Sequence, residues 1–475
     1  MLNGIDRDSQ VPLHKQVRLY LNDLIARAGT SRMLPPETEI AKSLGISRAT
    51  VRLAIMDLVR EGQLERVPGR GTFIRQGSTR LVFSNWLSAE KIYQPMLQAM
   101  IDQFREANTG IDIENLGIQY EHTEHQLMLM TSAGKAPDIG ALIYLWLPIF
   151  AHQGALRPLE NLYPPEIMAR IYPQSAAAVS FRDHRYAFSW GNAPLILYAN
   201  RQLVADHLRT DRLAPENYDE LMEWFVLLKE RTQGTIIPYS IPFQDDEIFF
   251  LYSIYNFLIA FGGGVINEDG EIIFNCEENV RSYTWLRGFI AKGCIDVSHG
   301  HLENRKLFAF DRLAFMIEGP WLKGVLPVLN PSCREGCDHL EYAVLPRGPK
   351  GTAPSLLWNH TLALFRQCRN VEGALAFIRY LTLDRSVSES LYRHTGMLPV
   401  LADEAEQNPV YDDSLGRVLR RQMKNAVPIP FSDSPSFLTS ITFCAMASRE
   451  ILLGDANIPS TLATYAGLLK ELFKK

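Results

Sequence analysis

Two arginines four residues apart, Arg48 and Arg52 in GISRATVRLAI, suit bonding to guanine edges or phosphates if the segment is a helix laid in a DNA groove. A second pair, Arg66 and Arg70 in QLERVPGRGTFI, suits gripping the adjacent backbone or minor groove from a hairpin tip. Further along, the chemistry changes. Trp86, Trp146, Trp190, Trp321 and Trp358 each fall at or near a strand end or turn, usually with a polar neighbour: Asn85, Tyr144, Asn192, Glu318 and Asn359. Aromatic faces stack on the apolar faces of a ligand, while amides and carboxylates bond its hydroxyls, a pairing that suits a sugar. The plainer readings are solvated surface arginines and tryptophans packed at a domain interface. Trp224 and Trp285 sit inside helical patterns and read as packing residues.

The arginines need a scaffold, and the first 76 residues supply its pattern. Val17, Tyr20, Leu21, Leu24 and Ile25 have the spacing of an amphipathic helix that opens near Pro12 and ends at Gly29. Pro35 and Pro36 open a second, short helix, with Ile40 and Leu44 on one face, broken by Gly45. Ser47 is an N-cap for a third, whose apolar stripe is Val51, Ala54, Ile55 and Leu58. Arg48, Ala49 and Arg52 fall outside that stripe. Two helices joined by a short turn containing glycine form a helix-turn-helix, whose second helix enters the major groove. The following strand, Pro-Gly-Arg-Gly turn and strand read as a hairpin with Val67 and Phe73 facing inward.

From PLHKQV through LPPETEIAKSLGISRATVRLAIMDLVREGQLERVPGRGTFI, the chain resembles the winged-helix domain of GntR-type bacterial repressors. The resemblance implies operator contacts by Arg48, Thr50 and Arg52 on the recognition helix and by Arg70 and Gly71 in the wing. Thr38 stands where that family often has arginine, leaving a phosphate contact there in doubt. IRQGSTR, with residues 77–80 as linker, then joins the head to a body of residues 81–475.

In the body, strand-like runs such as RLVFSN and IDIENLGI alternate with helical ones such as YQPMLQAMIDQFREANTG, which indicates a doubly wound α/β layer. Such sheets bind ligands beyond the carboxyl ends of their strands. LMLMTSAGKAPDIGALIYLWLPIFAHQGALRPLENL, YAFSWGNAPLILYANRQLV, PENYDELMEWFVLL and FAFDRLAFMIEGPW follow one another as in an extracellular solute-binding protein of the family that feeds sugar transporters. That resemblance implies a periplasmic-binding-protein-like fold of type II, with two α/β lobes around a hinge and a ligand between them. It implies cleft positions for Trp86, Asp138, Trp146, Trp190, Asn192, Trp321 and Trp358, with Glu318 nearby. Asp138 reads equally well as a structural cap after Pro137.

Charge divides the chain the same way. Residues 1–80 hold 13 lysines and arginines against 8 acids, whereas the remainder holds 35 against 45. A basic head on an acidic body suggests that the head alone meets a polyanion. The amino terminus lacks the apolar core of a secretion signal, and no run of about 18 apolar residues suggests a membrane span. The longest apolar stretch, from Ile139, contains Pro148. Six cysteines do not make a disulfide framework, and Cys333, Cys337 and His339 form at most half a metal site.

Together these features lead to the expectation of a cytoplasmic, homodimeric one-component regulator with operator DNA and a small solute, a sugar or oligosaccharide, as partners. No membrane partner, cofactor or catalysis is expected. Two alternatives stand beside it. One is a pyridoxal-phosphate aminotransferase-like body, for which Lys350 in GPKGT is the nearest approach to a Schiff-base lysine. The other is a sugar hydrolase using acids such as Glu318 and Asp245.

Overall fold

The structure is a computed structural model that describes residues 12–27, 33–60, 64–67, 69–74, 79–210, 212–245, 247–334, 340–429, 434 and 436–474. Pro68, residues 75–76, linker residues 77–78, Cys337, His339 and the first eleven residues lie outside the described residues, while Thr79 and Arg80, read as the rest of the linker, open the strand Thr79–Asn85.

The amino-terminal unit consists of helices Leu13–Arg27, Glu37–Leu44 and Arg48–Arg60 and the hairpin Leu64–Val67/Gly71–Ile74. Its core is the stripe read from the sequence: Val17 and Leu21 from the first helix, Ile40 from the second, and Val51, Ala54, Ile55 and Leu58 from the third. Gly45 reverses the chain between the second and third helices at φ 64°, a left-handed conformation that glycine adopts without steric cost. Ser47 caps the third helix by accepting the Thr50 N–H at 3.2 Å. In the hairpin, Leu64 is the strand residue in the core, while Val67 and Phe73 are half-buried.

The large unit has two lobes. In the first, strands run in the order Ile111–Gly117, Thr79–Asn85, Ile139–Ile143, His360–Leu364 and Ala187–Gly191. Ile139–Ile143 is buried along its whole length, as its unbroken apolar run requires of a strand covered on both faces. The sheet is not wholly parallel. His360–Leu364 runs antiparallel to both neighbours because the chain re-enters this lobe from the other one. In the second lobe, Ile196–Asn200 pairs antiparallel with Phe315–Glu318 and Leu340–Ala343. The chain segment at Ile237 and Pro238 lies alongside, accepting hydrogen bonds from Ala314 and Phe315 at 2.9 Å each.

Three segments cross between the lobes, at residues 192–195, 355–359 and 396–398. They are stitched edge to edge: Asn192 N–H donates to Leu398 O at 2.9 Å, Leu398 N–H to Asn192 O at 3.0 Å, and Trp358 N–H to Ala193 O at 2.9 Å. Trp224 and Trp285 pack on helices Tyr218–Arg231 and Glu277–Ala291 against aromatic neighbours, including Phe315 and Phe257 respectively.

Candidate nucleic-acid interface and ligand cavity

In the head, three of the singled-out arginines converge on one residue that the sequence reading passed over. Glu37, the first residue of the second helix, accepts Arg48 Nε at 3.0 Å and lies 3.2 Å from an Arg52 guanidinium nitrogen, both through Oε2. Its Oε1 pairs with Arg66 from the hairpin. The arginines are about half exposed, while Glu37 is 9% exposed, so one sheltered carboxylate aims three guanidinium groups outward. Such a face offers hydrogen-bond forks to phosphates and base edges. Thr50 is engaged with Ser47, the two hydroxyls 2.8 Å apart. Thr38 is exposed next to Glu37 in the chain. Arg70 and Gly71 are exposed at the hairpin turn, where Gly69 and Gly71 adopt φ of 74° and 117°.

In the body, the first and second lobes enclose a cavity of about 520 Å³, within the range of about 300–1,000 Å³ usual for small-molecule sites. Trp86, Tyr93 and Tyr120 line it from the first lobe. His301, Arg305 and Trp321 line it from the second, together with aliphatic residues of the helices His301–Ala309 and Leu322–Leu329. Trp358 and His360, at the exit of one crossing segment, also face it.

Glu318 organises the second-lobe wall. It ends the strand Phe315–Glu318 and is fully buried. Its Oε1 accepts the Trp321 indole N–H at 3.0 Å and the Gly319 N–H at 2.9 Å. Its Oε2 accepts Arg305 Nε at 3.1 Å and lies 2.9 Å from His301 Nε2. Burial alone raises a carboxyl pKa, but Arg305 and His301 outweigh it and hold Glu318 well below the usual carboxylate range. The Trp321 ring lies directly over Gly319: a Cβ there would sit 2.2 Å from the ring. The residues EGPW thus form a mount for one indole, with the carboxylate behind it and no side chain beneath it.

On the opposite wall, Trp358 Nε1 donates to Tyr120 Oη at 2.8 Å. The His360 ring lies 4.9 Å from Trp86, 5.9 Å from Tyr120 and 5.9 Å from Trp321, centroid to centroid. Burial lowers its pKa to about 3, so the imidazole is neutral.

Of the residues named from sequence, Trp86, Trp321 and Trp358 line this cavity and Glu318 stands directly behind Trp321. Trp146 stands one ring back, 5.9 Å from Tyr120. The other five are placed elsewhere. Tyr144 is buried, its hydroxyl accepting the Ile429 N–H at 3.0 Å. Trp190 is in the core, packed 5.7 Å from Phe83. Asp138 accepts the Val82 N–H at 2.8 Å, a structural tie between strands. Asn192 and Asn359 belong to the crossing segments. Asn359 Nδ2 donates to Asn192 Oδ1 at 2.9 Å, Asn192 Nδ2 donates to Pro399 O at 2.7 Å, and Ala193 N–H donates to Asn359 Oδ1 at 3.2 Å.

Tyr93, Tyr120, His301, Arg305 and His360 line the cavity without having been singled out. For His360 a signal was present. In Leu357-Trp358-Asn359-His360 extended chain alternates sides, so Trp358 and His360 share one face and Asn359 takes the other. Lys350 is exposed, 3.9 Å from Glu278 and outside the cavity. Cys333 is buried with its thiol donating to Ala309 O, and no metal-ligand cluster occurs among the described residues. No helix among them is long and apolar enough to cross a membrane.

Known proteins match in the same two parts. The profile of the bacterial extracellular solute-binding proteins matches residues 99–415. That of the bacterial regulatory proteins of the gntR family matches residues 13–74. The maltotriose-binding protein of Pyrococcus abyssi is 20% identical over 328 residues, which are 68% of this chain and 67% of that protein. The HTH-type transcriptional repressor NagR of Bacillus subtilis is 42% identical over 73 residues, 15% of this chain and 30% of that one. The GacH receptor of Streptomyces glaucescens, solved unliganded and with acarbose, superposes with a TM-score of 0.73 at 19% identity, covering 84% of this chain and 99% of that one.

Proposed function

The chain belongs to the bacterial extracellular solute-binding proteins and carries a gntR-type regulatory domain at its head, and on that basis we propose a one-component transcription regulator that senses a carbohydrate. The observation that carries the reading is an aromatic-walled cavity in a chain whose other unit presents three carboxylate-held arginines on a helix-turn-helix. Indole and phenol faces suit the apolar faces of a sugar ring. The names of the relatives point the same way: a maltotriose-binding protein, a receptor solved with acarbose, and a repressor.

In this reading the protein works in the cytoplasm, where its DNA is, as a homodimer. A sugar entering the cavity favours closure of the lobes about the three crossing segments. Closure changes the relation between the dimer's two winged helices, and half-sites about 34 Å apart tolerate little such change. A coupling of about 1–3 kcal/mol alters operator affinity about 5- to 150-fold. Arg48, Arg52 and Arg66 contact the operator, with Thr38, Thr50, Arg70 and Gly71 beside them. Trp86, Trp321 and Trp358 stack on the sugar. No chemistry is performed on it: Glu318 is engaged by Arg305, His301 and Trp321, and Asp245, which lines the cavity, accepts the His301 backbone N–H at 2.9 Å.

The test combines thermal-shift screening of the full chain against maltotriose, acarbose and simple sugars with operator titration at fixed salt. Stabilisation by a sugar together with a changed operator affinity supports the reading. A sugar that binds without moving operator affinity refutes the sensor.

A further inference from the structure

We infer that His360 is the residue that selects the ligand, its imidazole hydrogen-bonding a hydroxyl of a neutral sugar ring at the floor of the cavity. The inference rests on the proposal that the cavity takes a carbohydrate, and goes beyond it by assigning the polar contact and excluding a class of ligand.

His360 is 3% exposed and lines the cavity, yet its ring nitrogens make no hydrogen bond among the described residues. A ring nitrogen that reaches the cavity without a protein partner is open to a ligand, and an apolar ring of the same size would offer none. Of the polar atoms around it, Trp358 Nε1 is engaged with Tyr120, and Trp321 Nε1 and Arg305 Nε with Glu318, while Trp86 Nε1 and Tyr93 Oη make no hydrogen bond among the described residues. His360 therefore offers the floor an unengaged donor and acceptor.

Its chemistry narrows the partner. A neutral imidazole carries one N–H and one lone pair, and a hydroxyl carries the complement of each. Burial keeps the ring uncharged, so it offers a carboxylate or phosphate an N–H donor but no compensating charge. Against a cation, two of the three acids that line the cavity, Glu90 and Glu121, stand exposed, and the third, Asp245, is half-buried with its carboxylate accepting the His301 N–H at 2.9 Å. The tilted Trp86 face and the Trp321 ring then sandwich the apolar faces of the ring whose hydroxyl His360 holds.

The test compares the full-length protein with His360→Phe, which keeps the aromatic shape, and His360→Gln, which restores a donor and an acceptor. Binding of glucose, galactose, N-acetylglucosamine and maltotriose is measured calorimetrically, with spermidine as the cationic probe. Circular dichroism and melting curves verify that both variants fold. The expected result is binding of at least one sugar by the wild type, about 10- to 100-fold weaker binding by His360→Phe, and recovery of most of the loss by His360→Gln. Equal sugar binding by wild type and a folded His360→Phe overturns the role of His360 and leaves the carbohydrate reading standing. Binding of spermidine and of no sugar, or of none of the five probes, overturns both.

Discussion

Replacing Gly319 by alanine adds one methyl group at the place where the second-lobe wall is most tightly built. The new Cβ would lie 2.2, 2.3 and 2.5 Å from three atoms of the Trp321 six-membered ring, where about 3.4 Å or more is ordinary contact. Backbone accommodation is limited, because the Gly319 N–H is itself bonded to Glu318 at 2.9 Å. The indole must therefore move by about 1 Å or more, and its 3.0 Å hydrogen bond to Glu318 cannot survive that displacement. A hydrogen bond to a charged group contributes about 1.5–3 kcal/mol, equivalent to about 10- to 150-fold in ligand affinity if the indole is held for the ligand. The carboxylate keeps Arg305 and His301, so the fold survives with a melting temperature lower by only a few degrees. Two assays separate the effects. Acrylamide quenching and near-ultraviolet circular dichroism report the freed indole, and calorimetry with whichever sugar the wild type binds reports the loss of affinity. A folded Gly319→Ala protein with unchanged Trp321 signals and unchanged sugar affinity would falsify the claim that the EGPW mount holds Trp321 for the ligand.

Glu37→Gln removes the charge shared by Arg48, Arg52 and Arg66 while keeping the side chain's shape. Binding to a random duplex should strengthen and its salt dependence steepen by about 0.9 in log–log slope, while preference for the operator falls; fluorescence anisotropy across a salt series reads both, and an unchanged slope counts against the arrangement. Arg52→Ala should weaken operator binding by about 1–3 kcal/mol with relaxed sequence preference if Arg52 reads a base, whereas a uniform loss across sequences makes it a phosphate contact. His360 is held neutral, its pKa lowered to about 3 from an unfolded value of about 6.5, so its contribution to stability is complete above pH 6.5 and is lost as pH falls through that window. At pH 5 the loss relative to His360→Phe is about 2 kcal/mol, read from melting curves of the two proteins. Tyr120, Arg305 and His301 remain in the variant, so parallel pH profiles would remove His360 as the cause.

The head was legible almost entirely because its information is local. Glycine at a left-handed turn, serine at a helix start and a 3.6-residue apolar stripe each fix structure within a few positions, and Gly45, Ser47 and Val51 to Leu58 act as those patterns require. Glu37 was not legible, because its three partners come from 11, 15 and 29 positions away and meet only through the tertiary fold. In the body, the aromatic content of the cavity was visible but its membership was not. Trp190 and Trp358 look alike in sequence, each near a strand end with asparagine close by. The difference is that the strand Ala187–Gly191 is covered on both faces, which turns Trp190 into the core. Trp358 stands where the chain leaves a crossing segment and has a cavity on one side.

The two asparagines read as sugar contacts serve a purpose that the same chemistry explains. An amide can donate and accept at once, which suits a sugar hydroxyl and suits equally well the meeting of three backbone segments. Asn192 and Asn359 join the crossing segments to each other, to Pro399 O, and to Ser175 and Ser189. A hinge must keep its backbone groups satisfied as its dihedral angles change, and apolar packing alone cannot do that. Side-chain amides tie these segments together beside the exit where Trp358 and His360 enter the cavity. Under the proposed function, a change in the crossing segments on ligand binding would act on the hydrogen bonds of Asn192 and Asn359, which join those segments to one another.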